Sequence, residues 1–176
     1  MQTIEIDLKI RRLTHDDFED AYSLVRDIYA STDMMCQPFD EKYPDFESFE
    51  RDLNEHDATE GAFFLVAQTS HGLAGYVTVK PVSAAKLAHT AYLNMGVSEN
   101  SRRKAVGRAL LSAALAQIVA DGKIEILYLN VRADNFAAVK LYLSEKFEVI
   151  AELEKDTKIG DRYYTGLLMR RFIINS

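Results

Sequence analysis

The stretch Val97-Ser98-Glu99-Asn100-Ser101-Arg102-Arg103-Lys104-Ala105-Val106-Gly107-Arg108-Ala109-Leu110-Leu111 decides how this chain is read. An apolar run ends at Val97, a polar turn carries three consecutive cations, and an alanine-rich helical pattern follows at once. The first turn of a helix leaves backbone N–H groups unpaired and carries a partial positive charge. With Arg102, Arg103, Lys104 and Arg108 beside it, and small residues at Ala105, Gly107 and Ala109, an anion could approach the backbone closely. The segment reads as a phosphate-binding strand–turn–helix, which points to a phosphate-bearing cofactor.

Periodicity extends this reading in both directions. Ile4, Ile6, Leu8 and Ile10 alternate with Glu5, Asp7, Lys9 and Arg11, so residues 4–12 read as a strand. Thr14 caps a helix with Asp16 and Asp17 in its first turn and Phe18, Ala21, Tyr22, Val25, Ile28 and Tyr29 at helical spacing. A loop over Ser31–Tyr43 contains Pro38, and a second helix runs from Asp45 to His56 on Phe46, Phe49 and Leu53. Ala62–Thr69 and Leu73–Lys80 form a hairpin around Ser70-His71-Gly72, and Pro81 ends its second run. Ala88–Val97 is a third strand, where Gly96 marks a bulge or a close backbone approach.

The helix after Lys104 carries Val106, Leu110, Ala113, Ala114, Leu115 and Ile118, apolar over much of its circumference, and stops at Asp121-Gly122. Ile124–Val131 is nearly continuous in apolar residues, as a central strand covered on both faces would be. Asp134-Asn135 starts a helix with Phe136, Val139 and Tyr142 on one side. Phe147–Leu153 alternates as a strand, Lys158-Ile159-Gly160-Asp161 is a turn, and Arg162–Arg170 is a final strand. The order β-α-α-β-β-β-α-β-α-β-β predicts an α/β chain, with a mixed sheet of the α+β kind, in one domain over residues 1–176.

Composition narrows the function. A net charge of −6 argues against broad binding to DNA or RNA, which is driven by cations neutralising phosphates. No apolar run approaches the roughly 18–20 residues that span a bilayer, and the first residues lack the regions of a signal peptide. The expectation is a soluble, cytoplasmic protein without nucleic-acid or membrane partners. A single cysteine, Cys36, and four scattered histidines give no disulfide and no metal-ligand spacing. From Asp33 to Glu60 ten carboxylates face only Lys42 and Arg51. An anionic cofactor with a cationic second substrate would suit this asymmetry, and so would a solvated acidic face.

Two phosphate patterns are absent. No stretch fits the P-loop form Gly-x-x-x-x-Gly-Lys-Ser/Thr, and the dinucleotide fingerprint Gly-x-Gly-x-x-Gly fails at Ala105 and Leu110. The order Arg102-x-x-Ala105-x-Gly107 after a strand instead resembles the acyl-CoA signature Gln/Arg-x-x-Gly-x-Gly/Ala of the GNAT family of N-acetyltransferases. Downstream, Asn130-Val131-Arg132-Ala133-Asp134-Asn135-Phe136-Ala137-Ala138-Val139-Lys140-Leu141-Tyr142 is similar to that family's second motif. Gly160-Asp161-Arg162-Tyr163-Tyr164 with Leu167-Leu168-Met169 resembles the final strand of bacterial members. The likeness covers essentially the whole chain. Ala105 and Lys146 depart from it, standing where the family commonly has glycine, and an alanine is tolerable there if its φ stays negative.

The resemblance implies an acyl-CoA N-acyltransferase fold, acetyl-CoA as co-substrate with no metal, and acetyl transfer to a primary amine of a small molecule or peptide. It implies that Met95, Gly96 and Val97 hold the pantetheine arm through main-chain groups, with a bulge at Gly96 splaying the strand. Amides from Arg102, Arg103, Lys104, Ala105, Val106, Gly107 and Arg108 would hold the pyrophosphate, and Asn135 and Ala138 would contact the cofactor. Tyr142 would protonate the leaving thiolate as general acid, with the N–H near Val97 facing the developing oxyanion. The base stays open among His89, Glu60, Tyr92 and water. The first two helices, with Tyr163 and Tyr164, would build the acceptor side, and an exposed sheet edge offers a route to a homodimer. A non-catalytic acyl-CoA-binding regulatory module uses the same cleft, and a nucleotide-binding regulator uses the turn alone.

Overall fold

The computed structural model describes residues 7–173, so Ile4 and Ile6 of the first expected strand lie outside the described residues. Seven strands form one sheet in the order β1-β2-β3-β4-β5-β7-β6: β1 Lys9–Arg12, β2 Phe63–Thr69, β3 Gly72–Pro81, β4 Thr90–Val97, β5 Ile126–Arg132, β6 Glu148–Ile159 and β7 Arg162–Phe172. The helices are α1 Phe18–Ala30, α2 Phe39–Lys42, α3 Phe46–Ala58, α4 Val106–Asp121 and α5 Phe136–Ser144. The short α2 sits inside the stretch expected as loop. Pro38 precedes it with φ −59, and Phe39 anchors it by burial.

Alternation along the strands builds a core on each face of the sheet. Leu65, Val77, Leu93, Leu127 and Met169 meet Leu110, Leu111, Ala114 and Ile118 of α4 on one side. Phe64, Val66 and Tyr76 meet Ala21, Val25, Ile28, Phe49 and Leu53 of α1 and α3 on the other. Each fully buried aliphatic side chain contributes about 1.5–3 kcal/mol of transfer free energy. The all-round apolar character of α4 follows from its place over the centre of the sheet. Gly122, with φ +65, ends it by donating its N–H to Ile118 O.

Polar groups fix the helix starts. Thr14 heads a 3-10 turn, His15–Asp17, and α1 begins at Phe18. Asp17, not Thr14, supplies the acceptor: its carboxylate takes the Thr14 N–H (2.8 Å) and Oγ1–H (2.7 Å) and a forked pair from Arg11 of β1 (2.7 Å each). Asp45 caps α3, its Oδ1 accepting the Ser48 N–H at 2.8 Å. Phe136, read on one side of its helix with Val139 and Tyr142, opens α5 beyond the strand ends and is 76% exposed, whereas Tyr142 is buried. β6 runs six residues past the expected Leu153 because irregularities at Val149/Ala151 and Leu153/Thr157 reset its register, with Lys155 at φ +57.

Every neighbouring pair of strands is antiparallel except β4 and β5. That parallel pairing spans only Thr90–Tyr92 against Ile126–Tyr128. Beyond it β4 continues to Val97 on β3 and β5 to Arg132 on β7 without pairing to each other, so the centre of the sheet opens as a wedge. No bulge at Gly96 causes this: β3 and β4 keep an unbroken register from Gly75↔Val97 to Pro81↔Ala91. Gly96 is instead a close approach, where a Cβ would stand 2.8 Å from Tyr76 Cε1 and 3.0 Å from Ile28 Cγ2.

Candidate active site

The wedge gathers both sequence motifs. Ser98 donates its N–H to Ala74 O on β3 (2.9 Å), so by strand alternation Met95 and Val97 turn their main-chain groups away from β3, into the wedge. That edge can accept an extended chain as an added strand. Across a 3-10 turn, Glu99–Ser101, lies the start of α4. Its first helical bond is Ala109 N–H to Ala105 O at 3.0 Å, leaving the Val106, Gly107 and Arg108 amides without helical acceptors. At Gly107 a Cβ would come no closer than 3.5 Å to Leu141 or Met95. The protein itself leaves this amide cradle open, which fits a pyrophosphate.

The four cations divide. Arg102 turns back over the strand end, with Nε donating to Val97 O (3.2 Å) and Nη2 to Ser31 Oγ at the end of α1. Arg108 reaches Glu145 (3.2 Å) and Ser144 (3.3 Å) at the C-terminal end of α5. Arg103 and Lys104 are exposed and make no ion pair among the described residues. Ala105 has φ +61, against the negative φ expected for it, and Arg103 has φ +60. Lys146, the second departure from the family pattern, is also left-handed at φ +64. An L-residue there costs about 1–2 kcal/mol, partly offset by the greater chain entropy of glycine when unfolded. Ala105→Gly and Lys146→Gly are each expected to stabilise by about 0.5–1 kcal/mol, roughly 1–4 °C in a thermal scan.

On the far side of the wedge α5 carries Tyr142, buried and packed on Phe147 with ring centroids 5.7 Å apart. Burial pushes its phenol well above the ordinary tyrosine range, so it stays protonated. No fully buried polar side-chain atom among the described residues lacks a partner, and this hydroxyl has none, so solvent reaches its oxygen. Asn135 is the cap of α5, its Oδ1 accepting the Ala138 N–H at 3.3 Å. The Ala138 amide is thereby occupied, and the Asn135 side-chain NH2 remains as donor.

A cavity of about 220 Å³ lies between the sheet and the layer of α1, α2 and α3. Tyr76, Thr78, Lys80 and Asn94 floor it, and Lys42, Tyr43, Asp52 and His56 wall it. Tyr76 pairs with Gly96, and its phenol, raised chiefly by burial, is raised further by Tyr29 and Tyr142. The cavity therefore ends beside the wedge. Asp52 accepts from the Tyr43 hydroxyl at 2.8 Å and from Lys80 at 3.4 Å, while His56 Nδ1 lies 2.8 Å from Asp52 O.

Several expected residues fall elsewhere. Asp40, Glu41, Asp45, Glu47, Asp57 and Glu60 face solvent, so the acidic run coats the outside and contributes Asp52 to the cavity. His89 precedes β4 at its other end, eight residues or about 26 Å from Val97. Glu60 pairs with Lys123 near that same end, and Tyr92 packs on Tyr128 where the strands still pair. Tyr163 is 52% exposed beneath Lys155 and Lys158, away from the slot. Tyr164 does stand by the site, stacked on Arg132 with 3.7 Å between the guanidinium carbon and the ring centroid.

Sequence reading gives Arg132 no role, although a cation closing an apolar strand was a signal. It is 6% exposed, forked onto Asp134 (3.0 and 2.6 Å), and donates to Asp33 O (3.0 Å). Arg102 and Arg132, one from each motif, thus pin the Ser31–Asp33 segment across the mouth of the wedge.

Comparison with known proteins agrees with this geometry. The family model described as Acetyltransferase (GNAT) family matches residues 19–147. The chain belongs to the GNAT family and is an N-acetyltransferase. An N-alpha-acetyltransferase of Saccharolobus solfataricus is 28% identical over 120 residues, covering 62% of this chain and 71% of that protein. The GNAT-family acetyltransferase of Streptococcus pneumoniae superposes with TM-score 0.88 at 23% identity, over 95% of this chain and 99% of the other. A phosphinothricin acetyltransferase of Sinorhizobium meliloti, solved in complex with acetyl-CoA, gives TM-score 0.82 at 16% identity, over 94% and 88%. Among the described residues no helix is long and apolar enough to cross a membrane.

Proposed function

We propose that this N-acetyltransferase uses acetyl-CoA and passes the acetyl group directly to a primary amine held in the cavity beside the wedge. One observation carries the reading: the open strand edge at Met95 and Val97, the free amides of Val106–Arg108 and the Tyr142 phenol all meet at one gap. The acetyl-CoA complex of the Sinorhizobium relative supports the choice of donor. When bound, acetyl-CoA supplies a thioester at which the amine forms a C–N bond as the C–S bond breaks.

The chain's own residues do the rest. Main-chain groups of Met95 and Val97 hold the arm as an extra strand, and the Val97 N–H faces the carbonyl oxygen. Amides at the start of α4 hold the pyrophosphate, with Arg103 and Lys104 free to reach outer phosphates. Tyr142 donates its proton to the departing sulfur. Asp52, held by Tyr43, is the carboxylate placed to receive the acceptor's ammonium group and its proton.

Calorimetric titration with acetyl-CoA, followed by thiol release with a panel of primary amines, tests this. Binding with turnover of at least one amine is expected. Binding without turnover across the panel would favour the regulatory module, and ATP binding without acetyl-CoA binding would overturn the donor.

A further inference from the structure

The charges that face the acceptor cavity are not those of a site for a polycation. Lys80 is fully compensated, lying 3.4 Å from Asp52 and 3.0 Å from Glu55. Lys42, at the end of α2, has no carboxylate partner among the described residues, although Asp40 and Glu41 adjoin it in sequence. Its ammonium is held over aromatic rings instead, 5.1 Å from the Tyr43 centroid and 6.0 Å from that of Tyr29, with the Tyr29 hydroxyl at 3.4 Å. Those rings fix the cation at the cavity wall without neutralising it. Tyr43 touches both signs, since its ring lies under Lys42 and its hydroxyl binds Asp52. A cation seeking an anion and a carboxylate able to take an ammonium therefore stand one phenol apart.

We infer that Lys42 is the anion-binding residue of the acceptor cavity, and that the acceptor is a small zwitterion carrying a carboxylate or similar anion near its amine. The inference rests on the transfer function proposed above and names its substrate class. Lys42, Lys80, Asp52 and Glu55 sum to zero net charge, though both carboxylates lie on Lys80, and a neutral zwitterion leaves that sum unchanged while its anion pairs Lys42. A polyamine or aminoglycoside would bring further positive charge against Lys42. The volume agrees, since 220 Å³ lies below the range of about 300–1,000 Å³ typical of sites for drug-sized ligands. Tyr29, pushed up to about 12 mainly by burial, stays protonated and offers the anion a second donor.

The test is thiol release at saturating acetyl-CoA with the L-amino acids, their carboxamides, spermidine and kanamycin. The best acceptor is expected to be a carboxylate, preferred over its own carboxamide by about tenfold or more in kcat/KM. Lys42→Gln should remove that preference through KM, with kcat within about threefold and an unchanged thermal midpoint, and Lys42→Arg should retain it. A carboxamide or a polycation as best acceptor overturns the inference, as does a preference that survives in Lys42→Gln. Acetyl-CoA binding with no carboxylate turned over overturns it too. Absence of acetyl-CoA binding fails the transfer function itself, a different result from any of these.

Discussion

Tyr142→Phe is expected to lower kcat by about 10²-fold, or ~2.7 kcal/mol of transition-state stabilisation, with little change in the affinity for acetyl-CoA. The lower end of the general-acid range applies because a thiol has an ordinary pKa of about 8.5 and leaves tolerably even unprotonated. The substitution separates chemistry from folding unusually well. The Tyr142 hydroxyl has no hydrogen-bond partner among the described residues, so removing it breaks no such bond and orphans no neighbour there. The ring remains packed on Phe147, and the unfolding midpoint should hold or rise slightly. The pH profile adds a second readout. Because burial raises the phenol, it stays a competent acid through the ordinary tyrosine range, and loss of activity from its ionisation should begin only above about pH 10. That limb should vanish in the phenylalanine variant. A full rate in Tyr142→Phe would remove the residue from the mechanism.

Apart from the short α2, the element order and the apolar runs that build both cores were legible in the sequence because hydrophobic period is a local property that burial enforces. The apolar runs of β2, β3 and β5 and the apolar stripes of α1 and α3 needed no knowledge of their partners. What escaped depended on where a side chain ends rather than where it begins. Arg102 sits in the phosphate turn, yet its guanidinium reaches Ser31, 71 residues earlier. The acidic run from Asp33 to Glu60 looked like the wall of a site, but helical geometry turns most of it to solvent and leaves Lys42 and Asp52 at the cavity. Gly96 was correctly marked as special while its cause was a Tyr76 ring on the neighbouring strand. Ala105 shows the same limit for the backbone: its type gave no hint of φ +61, which the path from β4 into α4 imposes. His89 and Glu60 have suitable chemistry but lie at the wrong end of the sheet, a distance that spacing along the chain does not report.

Arg132→Met should be the most damaging single change outside the two cores. The side chain is 5% exposed and holds four things at once: both Asp134 oxygens, the Asp33 carbonyl and the Tyr164 ring. Methionine fills the volume but replaces none of these, and the expected loss is about 2–4 kcal/mol in urea unfolding. The figure stays below the upper range for broken buried pairs because the Asp134 and Asp33 side chains, 41% and 59% exposed, can rehydrate. Arg132→Lys keeps the charge without the fork or the stacking and should recover less than half of it. The pair also has a pH signature. Arg132 holds the Asp134 carboxyl below its ordinary value, so the stabilisation is complete above the unfolded range near pH 4 and is lost as pH falls through the folded value. The gap between wild type and Arg132→Met should therefore narrow below about pH 4. Catalysis should suffer on the acceptor side. With Asp33 released, the segment that leads into α2 and Lys42 keeps the Arg102 bond to Ser31 and the packing of Met35 but loses its tie to β5, so the acceptor KM should rise about tenfold while acetyl-CoA binding changes little. An unchanged acceptor KM in a folded variant would confine Arg132 to stability.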